Sequence, residues 1–377
     1  MVPLATTLAR RGHRVLWAVS PEFHGGLSRA GFESVAAGMG EAESLDCFYR
    51  RYPAIRQVAP DRRADVMFPG LFGAVRAGPM LADLLPAAAE WQPSVVVREA
   101  GEFAGPIAAA VLGVPSVTHG FGRLLPRDRV AAAGREVAPL WAAHGLAPRP
   151  YGGSYDHLYL DIYPPSLQST DGGHVPVVQL LRPATAGPGP GPGPGPGPGP
   201  GPGSADVAAP LVYVTMGTIF VDREVLAMVV AAVRDLDVRV VVTVGPGRPT
   251  DWLGPQPPNV TVAEFIPQAE LLPGCAVVVS HAGSGTFLAA LAHGVPQVFL
   301  PQGADQFGNA TAGAASGAGV AFMPGEATAA VVGSAVETML SSERFRAAAG
   351  RLAAEIAAMP DSDEAAKRIE KLVGAEA

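Results

Sequence analysis

The sequence predicts an α/β protein of two domains, each a parallel sheet layered between helices, facing each other across a cleft. Three observations carry that expectation. The chain has 377 residues, enough for two such domains. Short Val-rich runs alternate with Ala- and Leu-rich helical stretches, punctuated by glycine and proline. Near the middle, residues 187–203 are a strict Gly-Pro alternation. Proline there removes donors and glycine adds freedom, so neither helix nor sheet forms. The segment 183–208 is expected to be an extended, solvated spacer of moderate stiffness. A proline-rich ligand for a partner is the weaker alternative.

From the N-terminus, residues 1–11 read as a helix with Leu4 and Leu8 on one face. Gly12 ends it, and 14–19 is a strand. In a doubly wound sheet the first strand lies at the centre. A domain that opens on a helix is therefore expected to have a gap in mid-sheet. Residues 27–36 give a helix end and a strand, and 38–60 read as irregular. Residues 61–91 read as two helices broken near Gly78-Pro79, with Met67, Phe68, Leu71, Phe72, Met80 and Leu81 forming an apolar face. The strand 94–98 ends at Glu99, before a helix over 103–112. Another strand covers 115–118, with His119 just after it at the cleft rim; acceptor contact and an ordinary loop histidine are both open. A short helix at 136–144 and a strand at 158–163 close this half.

The second half opens with a strand at 211–215 that ends in Met216-Gly217-Thr218. A helix at 222–235 and strands at 238–244 and 259–265 follow. The strand 276–280 runs directly into His281-Ala282-Gly283-Ser284-Gly285-Thr286. A helix over 287–293, stopped by Gly294 and Pro296, leads to a strand at 296–300, completing a βαβ crossover. The last elements are a strand at 320–323 and helices at 328–340, 343–358 and 363–373.

The crossover carries the chemistry. A helix that starts near Gly285 leaves its first N–H groups unpaired and places partial positive charge there. Glycines let an anion approach the backbone, Ser284 and Thr286 add hydroxyl donors, and His281 adds a ring N–H. Asp305 and Gln306 follow the next strand on the same rim of the sheet. An acid and an amide suit the hydroxyls of a sugar. Each feature alone has a bland reading; in sequence they describe a nucleotide-sugar site.

These residues also carry a likeness. Phe265-Ile266-Pro267-Gln268, the His281 to Thr286 turn, Gly294-Val295-Pro296, Pro301, and Ala304-Asp305-Gln306 with Asn309-Ala310 resemble a donor-binding signature. It is that of inverting family 1 glycosyltransferases with the GT-B fold, and the bacterial enzymes that glycosylate macrolide and enediyne antibiotics are the most similar. Weaker similarity extends over almost the whole chain. The resemblance implies two Rossmann-like α/β/α domains: 1–182 for the acceptor and 209–360 for the nucleotide sugar, with 361–377 crossing back to the first. It implies that the backbone at Ile266 and Gln268 holds the base, that His281, Gly283, Ser284, Gly285 and Thr286 hold the diphosphate, and that Asp305 and Gln306 hold the sugar. Thr218 would touch phosphate or sugar, and Phe68, Phe72 and His119 would belong to the acceptor pocket. Plant members carry a ribose-binding glutamate where this chain has Ala289.

In the family a strand and a glycine-rich turn bearing the general-base histidine precede the opening helix. This sequence starts after that point, and His13 matches the helix-to-strand junction instead. Three explanations stay open: a start placed too late or a shortened chain, an inactive relative, or another residue acting as base. Glu99 resembles the acid that orients that histidine, where Asp is more usual. The implied reaction moves a deoxysugar, thymidine-diphosphate-linked in such enzymes, to a hydroxyl of an apolar natural product with inversion. No metal or cofactor beyond the sugar nucleotide is implied. The alternative is an impaired relative that serves as an auxiliary or sugar-nucleotide-binding protein. An epimerase on this fold would want a more acidic first domain, and a dehydrogenase would want a glycine fingerprint after a first strand.

Composition narrows the partners. A net charge of −7 without a basic run argues against nucleic acid. Cys47 and Cys275 make neither a disulfide framework nor a metal cluster, which fits a reducing cytoplasm. No apolar run approaches a membrane span and no signal peptide is visible, so a cytoplasmic location is expected. A homodimer remains open.

Overall fold

The computed structural model describes residues 1–184, 209–217 and 222–376. Most of the expected Gly-Pro spacer therefore lies outside the described residues.

The first half begins with α1 (Val2–Arg10) and β1 (Leu16–Val19). Next come α2 (His24–Arg29) and β2 (Glu33–Ala36), and then α3 (Glu41–Arg51). α3 replaces the irregular segment expected there. Glu41 and Glu43 in its first turn and Arg50 and Arg51 in its last complement the helix dipole. α4 (Arg63–Met67), a π-helical run over Phe68–Arg76 and α5 (Ala77–Trp91) follow without interruption. The break expected at Gly78-Pro79 is thus absent. Pro69 sits in the first turn of the π run, and Pro79 in the first turn of α5, where a missing N–H costs little; the carbonyl of Ala74, five residues before Pro79, accepts from Arg51 Nη1.

β3 (Val96–Glu99), α6 (Ala104–Leu112) and β4 (Ser116–His119) come next. α7 (Arg127–Ala143) is a full helix where only its second half was expected; its first half mixes charged residues with alanines and shows no clean apolar period. β5 (Leu158–Asp161) and the further strand β6 (Val178–Leu180) complete this half. All pairings are parallel, in two sheets: β1-β2, and β3-β4-β5-β6.

The second half runs β7 (Leu211–Thr215), α8 (Arg223–Val233), β8 (Arg239–Thr243), β9 (Val260–Ala263) and α9 (Gln268–Leu271). It continues through β10 (Cys275–Ser280), α10 (Ser284–Ala292), β11 (Gln297–Phe299), α11 (Gln306–Ala315) and β12 (Gly319–Ala321). Three helices close it: α12 (Ala329–Ser341), α13 (Glu343–Ala358) and α14 (Ser362–Glu376). Its sheet has the order β12-β11-β10-β7-β8-β9, all parallel. Alternation along β7 explains the layering: Val212 and Val214 enter one core with α8 and α12, while Leu211 and Tyr213 enter another with Ala289 and Ala290 of α10. Fully burying each such valine or leucine stabilises by about 1.5–3 kcal/mol.

Two features position a site. The strand order reverses between β7 and β10, so their following turns diverge and open a crevice at the C-terminal edge. The halves also share a core, in which Tyr163 and Leu167 pack with Phe287, Leu291, Ile356 and Met359. α14 then returns to α1, joined by Thr7–Ser362 at 2.7 Å, Arg10–Asp363 at 2.7 Å and Arg11–Glu370 at 2.8 Å.

Candidate active site

β10 delivers its last residue, Ser280, fully buried, into a tight turn. Ala282 lies in the left-handed region at φ 63°, a conformation that costs a non-glycine residue about 1–2 kcal/mol. Surrounding bonds enforce it: Ser280 Oγ accepts from Ala282 N at 3.1 Å, and Asn309 Nδ2 donates to Ala282 O at 2.9 Å. α10 then starts at Ser284, with Gly283 as its cap. Its body is buried on nearly every side, so its N-terminal end is its polar face.

His281 fills the crevice between β7 and β10. A Cβ on Gly217 would lie 2.6 Å from its ring, and one on Gly283 would overlap it. Both glycines are therefore needed for the imidazole to lie there. Burial lowers the His281 pKa, opposed by the Asp305 carboxylate, and Nδ1 is buried without a partner.

The helix end is not idle. Asp305 Oδ2 accepts from Ser284 N at 3.1 Å, Ser284 Oγ at 2.6 Å and Asn309 Nδ2 at 3.0 Å. The residue expected to hold sugar hydroxyls thus places its charge on the amide expected to hold phosphate. The dipole of α10 and two neutral donors account for that placement. Gln306, 3% exposed, is turned inward, and its Oε1 accepts from Gln302 N and Gly303 N at 2.8 and 3.0 Å. Asp305 and Gln306 thus cap a helix and brace a loop. Thr286 Oγ1 accepts from Gln268 Nε2 at 2.8 Å, joining two expected donor residues to each other. Ile266 packs against the buried cluster that holds Tyr213, Leu272 and Ala290, and its neighbour Phe265 is 56% exposed. Open space surrounds Gly285: nothing lies within 4 Å of where its Cβ would be. Thr218 lies outside the described residues.

The first domain faces this helix end. Glu99 and His119 close β3 and β4 as register partners. Burial pushes the Glu99 carboxyl up from 4.5 to about 7, and Oε1 is buried without a partner. Burial pushes the His119 imidazole down to about 3, and its Nδ1 lies 2.6 Å from Gly120 O. A Cβ on Gly122 would overlap Ser284 Oγ, so the loop after β4 approaches α10 as closely as a glycine allows. Between the halves lies a cavity of about 280 Å³, lined by His119, Phe121, Ile162, Ser284, Gly285 and Leu288 among others.

Phe68 and Phe72 do not line that cavity. Phe68 is a core residue, 6% exposed and edge-on to Phe103 at 5.9 Å; the aromatic pairing of the π-helical run turns it inward. Phe72 packs against it at 5.2 Å and under the Arg76 guanidinium. Sequence reasoning missed Tyr163 as part of the site, and it gave Gly217 and Asn309, which stand in the quoted motifs, no role of their own. Asn309 is fully buried and bonded to both turns. In the sequence it stands within the motif that carries the likeness, four residues after Asp305 and one helical turn along.

The chain matches two family descriptions. Residues 6–183 match "Erythromycin biosynthesis protein CIII-like, N-terminal domain", and residues 227–372 match its C-terminal domain. The L-demethylnoviosyl transferase of Streptomyces niveus is 31% identical over 366 residues, covering 96% of this chain and 91% of that protein. The elloramycin glycosyltransferase ElmGT of Streptomyces olivaceus is 32% identical over 327 residues, covering 81% and 80%. The spinosyn rhamnosyltransferase SpnG, solved with thymidine diphosphate, superposes with a TM-score of 0.76 at 28% identity, covering 98% of this chain and 95% of that one.

Proposed function

We infer that this chain, which belongs to the erythromycin biosynthesis protein CIII-like family and is a GT-B glycosyltransferase, moves a deoxysugar from a thymidine-diphosphate sugar to a hydroxyl of a largely apolar natural-product aglycone, with inversion at the anomeric carbon. The observation that carries this reading is the open end of α10 at Gly285, facing the first domain across the cavity. Similarity to transferases of antibiotic sugars and to a structure holding thymidine diphosphate supports the nucleotide and the acceptor class.

The diphosphate would lie against the amides of Gly285 and Thr286. Negative charge grows on it as the glycosidic oxygen departs, and fixed backbone dipoles stabilise that charge; one such donor is worth roughly 10²–10³ in rate. Asp305 then has a second function. Its carboxylate holds the end of α10 through the Ser284 amide. An incoming phosphate repels it, takes over the Ser284 amide and releases the carboxylate toward the sugar hydroxyls. Gln306 and Asn309 keep the two turns in place meanwhile. Glu99, by its likeness to the orienting acid of the family, belongs to the acceptor side.

Calorimetry with thymidine diphosphate and uridine diphosphate, followed by an assay of sugar-nucleotide hydrolysis and aglycone transfer, tests the reading. Tighter binding of thymidine diphosphate with turnover is expected. A flat titration would overturn it. Binding without turnover would assign the chain the auxiliary, sugar-nucleotide-binding role instead.

A further inference from the structure

We propose that Arg123 of the first domain is the positioning residue that takes over the Asp305 carboxylate when a sugar nucleotide displaces it from α10. The inference rests on the transferase reading above and deepens it. Donor binding forms an ion pair across the domain junction, and that pair holds Asp305 for the sugar.

Arg123 stands in the loop that leaves β4, and the loop is fixed on both sides of it. Gly120 N donates to Leu160 O at 2.8 Å, and Leu124 N donates to Gln168 Oε1 at 2.9 Å. Gln168 Nε2 in turn donates to both oxygens of the buried Asp161, at 3.1 and 2.9 Å. The backbone of Arg123 therefore has little travel. Beside it, a Cβ on Gly122 would lie 3.8 Å from Asp305 Oδ2. The Arg123 side chain runs along α11: its Cδ and Nη1 lie 3.9 Å from where a Cβ on Gly308 would stand. Gly308 follows Asp305 by three residues, so the two share one face of that helix. Tyr163 senses both charges. Burial raises its phenol, Arg123 opposes that rise, and Asp305 adds to it.

The guanidinium has no bonded partner among the described residues. It is half-buried, and its Nε is shut off from solvent with nothing to donate to. It also lies at the first turn of α11, where the helix dipole disfavours a cation. A neighbouring anion removes that cost, and Asp305 is such an anion. Its Oδ2 takes Ser284 N, Ser284 Oγ and Asn309 Nδ2, while its Oδ1 accepts from none of the described residues. A phosphate on the end of α10 takes the Ser284 donors, and the carboxylate then needs a new counter-charge. The guanidinium fork offers it two parallel N–H groups. So held, the carboxylate stays beside the sugar and does not turn out to water.

A double-mutant cycle tests this. R123Q, R123K, D305N and R123Q/D305N are titrated with thymidine diphosphate by calorimetry and, without it, unfolded in urea. R123Q is expected to weaken thymidine diphosphate binding roughly tenfold, the worth of one hydrogen bond to a charged group. R123K keeps the charge and should recover part of that loss. In the D305N background the change at Arg123 should alter the Kd by no more than about twofold, the scatter of sites that do not couple. The urea midpoint of R123Q should match that of the parent, because the guanidinium has no bond to lose; a purely structural role would move it. Binding by R123Q within about twofold of the parent overturns the inference and leaves the transferase reading intact. An equal loss in both backgrounds also overturns it, since the guanidinium would then contact the diphosphate itself. A parent chain that does not bind thymidine diphosphate sinks the transferase reading instead.

Discussion

Tyr163 Oη donates to Asn309 Oδ1 at 2.9 Å, joining the end of the first domain to α11 of the second. The amide nitrogen of the same asparagine reaches Ala282 O, Ser284 Oγ and Asp305 Oδ2. One buried side chain therefore holds the β10 turn, the β11 turn and the domain junction together. Tyr163 adds a stacked contact with Phe287 at 5.8 Å. A relaxation at this junction is felt at the helix end where the diphosphate is proposed to lie.

Asn309→Ala should destabilise the chain by about 2–4 kcal/mol, since it orphans several buried groups. Tyr163→Phe should cost about 1–3 kcal/mol, by leaving Asn309 Oδ1 without its donor. Urea denaturation reads both. Thymidine diphosphate affinity should fall at least tenfold in N309A, where the Ala282 turn loses its anchor, and less in Y163F. Equal losses in the two would contradict a direct role for Asn309 in holding the turn.

Gly285→Ala separates folding from binding. The position has free space and lies in the first turn of a helix, where alanine is the better helix former. Thermal stability should stay level or rise slightly. The added methyl would stand where the proposed phosphate sits, so the Kd for thymidine diphosphate should rise at least tenfold. By contrast, Gly283→Ala should damage both properties, because its Cβ overlaps His281. A G285A protein that binds as tightly as the parent would move the nucleotide elsewhere.

Asp305→Asn should lower stability by about 1 kcal/mol, through a weaker cap on α10. Nucleoside diphosphate affinity should hold or improve, because the displaced charge is gone. Transfer should fall, because the proposed sugar contact has lost its anion. Calorimetry with thymidine diphosphate beside a transfer assay measures the opposed changes. Parallel losses in binding and rate would refute displacement of the carboxylate by the donor.

Glu99 makes a prediction about pH. Its carboxyl is raised from 4.5 to about 7 by burial. Between those values the folded protein holds a proton that the unfolded chain has lost. The contribution to stability is therefore complete below about pH 4.5 and is lost as pH rises through about 7. Glu99→Gln should remove this dependence. The stability of E99Q relative to the parent should rise by an amount on the order of 3 kcal/mol from pH 4 to pH 8. Chemical denaturation of both proteins across that range reads the difference; a constant gap would mean that Glu99 ionises normally when folded.

The second domain was legible because its signals are local. Glycine and proline mark the ends of β10, α10 and β11, and a run of valines needs no distant partner to read as a buried strand. The same locality located the helix end at Gly285, and the order of motifs carried the likeness to the GT-B glycosyltransferases. In the first domain α3 and the first half of α7 escaped, because charged, mixed sequences lack a clean apolar period.

What the amino acids determined alone was the parallel α/β architecture and a polar helix end fit for an anion, since backbone geometry and periodicity act within a few residues. What only the folded chain decided was pairing: that Asp305 rests on Ser284, that His119 confronts α10, that Phe68 turns into the core, and that Asn309 meets Tyr163 across 146 positions. Such contacts depend on which surfaces meet once both sheets have packed, and no local pattern encodes the partner of a side chain that far along the chain.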